Sequence, residues 1–350
     1  REDFTDYKKL PNTLKGTDCA NFIITEINAF SNDLPDGPAS KANKDAAKAL
    51  LMKMYLNKGV YANRAAPTFD PADMQKVIDL ADDLIASGKY SLATDYFDNF
   101  APTNDAISTE NIYTLYNQNG ERGGNMRSRW FMTLHYNQQP SGWNGFTTLS
   151  DFYDKFETAD IRKGEAYPGV TDVSGVRVGF LYGQQYNAAG TALNDRKGNP
   201  LSFTREVALT ENGNNLEVTG IRVIKYPIDY SGADQANNDY VIFRYADVLL
   251  MKAEALLRTG DAAGALAIVN EVRQARGVAD LGSVDLQGLL DERAREFYFE
   301  GNRRQDLVRF GKFLDAWQEK PADADSHTLI FPIPNSQLAA NANLVQNPGY

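Results

Sequence analysis

YVIFRYADVLLMKAEALLRTGD, running from Tyr240 to Asp261, decides the fold class. Apolar side chains recur at Val241, Ile242, Tyr245, Val248, Leu249, Ala253, Leu256 and Leu257. That spacing draws a stripe down one face of a helix, where a strand would alternate. Gly260 stands where a left-handed C-cap is wanted, and Asp261 can N-cap a second helix that buries Leu266, Val269, Val272 and Ala275. The two helices make an antiparallel pair of roughly 34 residues, the size of a tetratricopeptide unit.

The same pattern occurs near the other end of the chain. A helix is predicted over 18–30, with Phe22, Ile23, Ile27 and Phe30 on one face. Another is predicted over 44–58, with Asn57-Lys58-Gly59 as its stop, and a partner over 72–87, closed by Gly88. This is a second tetratricopeptide-like unit, separated from the first by a long stretch of different character. Residues 90–239 are rich in Gly, Asn, Thr and aromatics, and a connection of that length is implausible as structureless loop. TREVALT and NLEVTGIRVIKY, joined through ENGNN, read as a β-hairpin. FETADIRKG begins as a charged turn, Leu314–Gln318 as a short helix or turn, and the prolines of TLIFPIP confine that run to an extended segment. The expected fold class is mainly α: helix pairs at about 18–88 and 239–318, with a partly β insertion lobe at about 90–238, together forming one domain over 1–350.

Three segments, in this order, resemble the SusD/RagB family: FRYADVLLMKAEAL, REFYFEGNRRQDLVRFG, and a closing FPIP followed by NPGY. The resemblance implies a tetratricopeptide-like scaffold and a non-catalytic, lipid-anchored protein on the outer face of the outer membrane. Such a protein captures oligo- or polysaccharide for a SusC-like TonB-dependent transporter. It also implies that this chain lacks the family's usual N-terminal portion, with its signal, lipidated cysteine and first helical repeats; REDFTDYKK is charged from its first residue. One departure is local. An aromatic is expected after Arg303, where this chain has Arg304.

Composition narrows the partners independently. A net charge of −10 over 350 residues disfavours nucleic acid, which needs clustered Lys and Arg to displace phosphate counterions, and disfavours anionic membrane surfaces. It suits a neutral polysaccharide. Eighteen Tyr, 18 Phe and three Trp are an ample source of flat rings to cover the C–H face of a sugar. Cys19 alone cannot make an intrachain disulfide and reads as a small buried helix residue. No apolar run approaches the roughly 20 residues of a spanning helix.

The candidate binding residues lie in RSRWFMTLHYNQQPSGWNGFTTL, which holds two of the three tryptophans. Trp130, Tyr136 and Trp143 are the candidate platform, and Arg129, Gln138 and Asn144 the candidate hydroxyl partners. Pro140, Gly142 and Gly145 bracket Trp143 in a turn, whereas Trp130, beside Phe131 and Met132, is the ring expected inside. The alternative for both rings is the insertion's own core. In DERAREFYFEGNRRQDLVRFG, Glu296 and Glu300 sit one turn apart, which raises a glycosidase acid–nucleophile pair. Such pairs flank the scissile bond from opposite sides, which one helix face does not offer. The simpler reading is an ion-pair lattice joining Arg293, Arg295, Arg303, Arg304 and Arg309 to Glu292, Glu296, Glu300 and Asp306. His135 and His327 are far apart and form no metal motif; no GxSxG nucleophile and no cofactor loop is present, so neither metal nor cofactor is expected. A protein-binding tetratricopeptide scaffold and a glycoside hydrolase remain the alternatives. The first would keep Trp143 internal, and the second would need two opposed carboxylates in a cleft.

Overall fold

The computed structural model describes residues 14–232 and 234–350, so the charged start at 1–9 lies outside the described residues. Helices α1 (Gly16–Phe30), α2 (Lys44–Ala62) and α3 (Pro71–Ala86) come first. Strand β1 (Asn111–Leu115) is flanked by single-turn helices α4 (Asn104–Ile107) and α5 (Ser128–Phe131). Then come α6 (Ser150–Tyr153), β2 (Gly164–Glu165), α7 (Thr171–Ser174), β3 (Val178–Leu181), β4 (Gly183–Gln184), β5 (Ser202–Phe203), α8 (Asn215–Val218) and β6 (Arg222–Ile224). Strand β7 (Tyr240–Arg244) leads directly into α9 (Tyr245–Thr259). The chain closes with α10 (Ala262–Ala275), α11 (Leu286–Phe297), α12 (Arg303–Arg309) and α13 (Asn335–Ala340). Among the described residues the fold is mainly helical with three small antiparallel sheets: β1–β7, β2–β3–β6 and β4–β5.

The scaffold is continuous in space although interrupted in sequence. Helix α1 packs on α2, α2 on α3, α3 directly on α9, and α9 on α10 and α11. The caps are those the sequence offers. The Asn43 side chain accepts from Ala46 N at 2.7 Å, Asp70 accepts from Ala72 N with Pro71 in the first turn, and Asp261 accepts from Gly264 N. Gly260 closes α9 at φ +94°, the left-handed conformation that a Cβ disfavours.

Four expectations are corrected. Helix α2 does not stop at Gly59 but continues to Ala62. The glycine serves a close approach, since a Cβ there would lie 1.7 Å from Thr68 O. Val241 and Ile242 belong to β7, which pairs antiparallel with β1 in the register Thr114↔Val241 and Tyr113↔Phe243. A V-I-F-R run satisfies either period, and the distant strand at 111–115 decides for pairing. The proposed hairpin is absent. Its first half forms no strand, NLEV coils into α8, and only Arg222–Ile224 is extended, paired with β3. Glu217 explains this, because its carboxylate is drawn inward to His135, Arg196 and Asn214, and that override defeats β propensity. Cys19 is half-buried on α1 rather than inside.

Aromatic rings dominate the core under the strands: Tyr96, Phe97, Phe100, Trp130, Phe156, Phe180, Tyr226 and Tyr298 are all buried there. Beside this core lies a buried ionic lattice. It differs from the sequence reading in its partners. Glu296 receives Arg162 Nη1 at 3.0 Å, Arg244 Nη1 at 2.7 Å, and Arg276 Nη2 and Nε at 2.8 and 3.2 Å. Glu300 takes Arg244 and Lys225, Glu110 takes Arg244 and Arg276, and Glu292 takes Arg162, Arg273 and Arg295. Asp306 pairs with Arg293 and Arg309 as expected. Arg303 and Arg304 instead donate to the main-chain oxygens of Leu290 and Thr328, and Arg304 fills the aromatic position by stacking on Phe313 and Phe331 at 4.3 and 4.2 Å. Burial would raise the Glu296 carboxyl, yet Arg276, Arg244 and Arg162 hold it well below the usual carboxylate range.

Candidate functional site

The segment after α5 folds back on itself to present Trp143. Gly142 N donates to His135 O, Trp143 N to Phe131 O at 2.6 Å, and Asn144 N to Leu134 O. The loop thus lies flat on residues 131–135. That approach requires glycine at 142, where a Cβ would meet Leu134 O at 2.1 Å. Trp143 is 55% exposed, and Phe131 backs it with ring centroids 5.9 Å apart and planes 19° from parallel. Arg127 in turn lies 5.7 Å from the Phe131 centroid. The indole is therefore held in one orientation while much of its surface faces water. Phe146, three residues on, is 60% exposed.

Tyr136 is also exposed, and the Arg196 guanidinium lies 4.2 Å from its ring centroid. Behind it His135 is fully buried. Its Nδ1 accepts from Asn137 N at 3.0 Å, which puts the proton on Nε2, 2.8 Å from Glu217 Oε1. Burial lowers the His135 pKa. Burial would raise Glu217, but the N–H of Arg196, the amide of Asn214, His135 and the Arg196 side chain hold it down to about 2. One residue thereby anchors both sides of the loop: the Glu217 carboxylate holds His135 and Arg196 on the Tyr136 side, and its main-chain carbonyl accepts from Asn144 Nδ2 at 2.8 Å on the Trp143 side.

Of the six residues singled out by sequence, Trp143 and Tyr136 present exposed rings. Arg129 is half-buried over Tyr240 and Phe299, at 4.8 and 5.8 Å from their centroids, and no carboxylate among the described residues pairs with it. The remaining three are turned inward. Trp130 is 1% exposed and belongs to the aromatic core. Gln138 is buried, accepting from His135 N and donating to Gln185 Oε1, and Asn144 spends its amide between Glu217 O and Arg222 Nη2. The sequence reading missed Phe131, the base under Trp143, and Arg196, which arrives from a loop some sixty residues on. It also missed Arg222, buried with no carboxylate partner among the described residues and lowered by burial to about 10.

Glu296 and Glu300 do not form an accessible acid–nucleophile pair, since both are buried and saturated by cations. Among the described residues no three His, Cys, Asp or Glu are placed to hold a metal ion, and no helix is long and apolar enough to cross a membrane.

The sequence model of the SusD family matches residues 100–350. The chain is 28% identical to the starch-binding protein SusD of Bacteroides thetaiotaomicron, over 97% of this chain and 67% of that one. It is 25% identical to a SusD-like protein of Bacteroides ovatus, over 85% of this chain and 51% of the relative, so it spans between half and two thirds of these proteins. The crystal structure of a SusD superfamily protein from Parabacteroides distasonis superposes with a TM-score of 0.72 at 21% identity, covering 93% of this chain and 68% of that one. The helical stack, the inserted lobe and the match running from residue 100 to the C-terminus agree, and the chain belongs to the SusD family.

Proposed function

We propose that this protein binds a neutral oligo- or polysaccharide without transforming it, on an exposed aromatic platform centred on Trp143. At the outer face of the outer membrane, held by a lipid anchor preceding these residues, it passes the glycan to a SusC-like TonB-dependent transporter. The observation that carries the reading is the Trp143 indole, more than half exposed yet fixed by Phe131 from below. An exposed tryptophan without such support serves no packing purpose, whereas a braced one offers a flat apolar face at little cost in side-chain entropy. Tyr136 under Arg196 supplies a second ring, and the Arg127, Arg129 and Arg196 guanidinia supply donors for hydroxyl oxygens. The relative from Bacteroides thetaiotaomicron, a starch-binding protein, points to the same ligand class. Affinity is expected to be modest, because an open face buries little apolar area and must displace bound water.

Intrinsic tryptophan fluorescence during titration with starch, dextran, xylan, galactomannan and laminarin tests the reading. A saturable shift with at least one of them, lost in Trp143→Ala, is expected. Silence across the panel with folded protein, or an unchanged response in the variant, would overturn it.

A further inference from the structure

Away from the exposed face of Trp143, a cleft opens between the 147–155 segment and the α11–α12 end of the scaffold. Its volume is about 630 Å³, within the range of small-ligand sites. A smaller cavity of about 170 Å³ adjoins it, sharing Thr147, Thr148, Phe152, Tyr298 and Phe299, and reaches Phe146. The two together form a groove that begins three residues from Trp143 and ends beneath Trp317.

Three features distinguish this groove from a packing gap. First, its far lip is built. Gln318 Oε1 accepts from Asp151 N and Ser150 Oγ, both at 3.0 Å, which clamps the Trp317 turn onto α6. Trp317 remains 36% exposed, with Lys320 Nζ 4.4 Å from its ring centroid. Second, the wall holds cations with unused donors. Arg293 is 2% exposed, and its Nη1 has no hydrogen-bond partner. Half-buried Arg303 donates only to Leu290 O, and no carboxylate lies within ion-pair distance of it among the described residues. Third, Phe299 lines both cavities from a left-handed backbone at φ +62°, which a non-glycine residue adopts only when its surroundings force it. Its ring also lies under Arg129, and Arg129 belongs to the platform side.

The charges name the ligand class. Four acidic and four basic side chains line the larger cavity, one acidic–basic couple being the Lys155–Asp291 pair at 2.9 Å. A balanced lining gives no net field to draw in a polyanion, while aromatic walls and spare guanidinium donors suit hydroxyls and C–H faces. We propose that the groove is a second carbohydrate subsite, which takes the next stretch of the same neutral glycan chain. Trp317 is its stacking ring, and Arg303 its donor to hydroxyl oxygens. The proposal rests on the platform reading above and extends it from a point contact to a chain-length-dependent site.

The test is affinity electrophoresis in gels containing each of the five polysaccharides named above. It is followed by calorimetric titration with short and long fragments of whichever one retards the protein. Trp317→Ala and Arg303→Gln are compared with Trp143→Ala, all checked for native melting temperature. The expected result is that Trp317→Ala leaves fragments of two or three sugars unaffected and weakens fragments of six or more about tenfold. Trp143→Ala weakens both. If Trp317→Ala melts early, Arg303→Gln, which removes a half-buried cation bonded to a single carbonyl, carries the comparison. Unchanged binding of every length in Trp317→Ala and Arg303→Gln, with loss in Trp143→Ala, overturns the subsite and leaves the platform standing. Equal loss at every length also overturns the extended site. Failure of wild-type protein to bind any of the five overturns the platform and the subsite together.

Discussion

Glu296→Gln is the substitution that asks most of the buried lattice. The side chain is fully buried, and glutamine keeps its shape, so no cavity term enters. The carboxylate accepts four bonds: two on Oε1, from Arg244 Nη1 and Arg276 Nη2, and two on Oε2, from Arg162 Nη1 and Arg276 Nε. An amide has one acceptor oxygen. Whichever way it turns, two guanidinium donors face an NH₂ group. A hydrogen bond to a charged group contributes about 1.5–3 kcal/mol, so two lost bonds cost about 3–6 kcal/mol. The charge balance gives the same figure independently. Glu110, Glu157, Asp160, Glu292, Glu296 and Glu300 face Arg162, Lys225, Arg244, Arg273, Arg276 and Arg295, six against six, and the variant leaves one cation uncompensated. Breaking a buried pair by removing one member typically costs about 3–5 kcal/mol. Urea unfolding followed by circular dichroism should show a loss of about 4 kcal/mol with an unchanged m-value. A loss under about 1 kcal/mol would show that the lattice is relaxed or wet, and the reasoning would fail.

Gly142→Ala touches no ligand, but it pushes a methyl group into Leu134 O and displaces the Trp143 loop. Glycan affinity should fall about as far as in Trp143→Ala while global stability drops by only about 1–3 kcal/mol, read by calorimetric titration and urea unfolding. Gly59→Ala should cost more, about 2–4 kcal/mol in urea unfolding, because the obstacle at 1.7 Å is the main chain of the loop packed on the last turn of α2. Burial pulls the Lys225 ammonium from 10.5 down to about 7 against the attraction of Glu300. Between those values the unfolded chain holds a proton that the folded protein does not, so this group makes stability rise with pH from about 7 upward, by up to about 1.4 kcal/mol per unit. Lys225→Met should abolish that rise in urea titrations at pH 6.5, 7.5, 8.5 and 9.5, and a difference between the two proteins that stays constant with pH would refute the shift.

Legibility in the sequence followed the range of the forces involved. The α9–α10 pair was readable because its stripe, its Gly260 cap and its Asp261 cap all lie within a few residues of what they act upon. Strand β7 was not, since a run of Val, Ile and Phe fits both periods and its partner lies at Asn111–Leu115. Nor was α8, where Glu217 answers to His135 and Arg196. Trp143 was readable because Pro140 and Gly142 announce a turn, and turns project side chains outward. Gln138 and Asn144 misled for a physical reason. An amide that can bind a sugar hydroxyl can equally bind an internal carbonyl, and composition does not distinguish the two. The groove was wholly illegible, its walls coming from 147–155, α11, α12 and the Trp317 turn.

Where the ion pairs sit has a bearing on the groove. A buried ionic lattice contributes less to stability than packed apolar residues of the same volume, so its position calls for another explanation. Arg162 and Lys225 come from the inserted segment, Glu110 from the turn before β1, Arg244 from the end of β7, Arg276 from the end of α10, and Glu292, Glu296 and Glu300 from α11 and the turn beyond it. These pieces of the inserted lobe therefore meet the scaffold through directional contacts as well as apolar ones. Apolar surfaces tolerate sliding, whereas two guanidinia sharing one carboxylate do not. Tyr298 and Phe299 follow directly after α11, between Glu296 and Glu300, and they form the wall common to both cavities. The lattice thus holds that wall at a fixed distance from Thr147, Thr148 and Phe152 on the facing side. A groove between a repeat scaffold and a grafted lobe keeps its width only if the junction is registered, and here the registration is electrostatic.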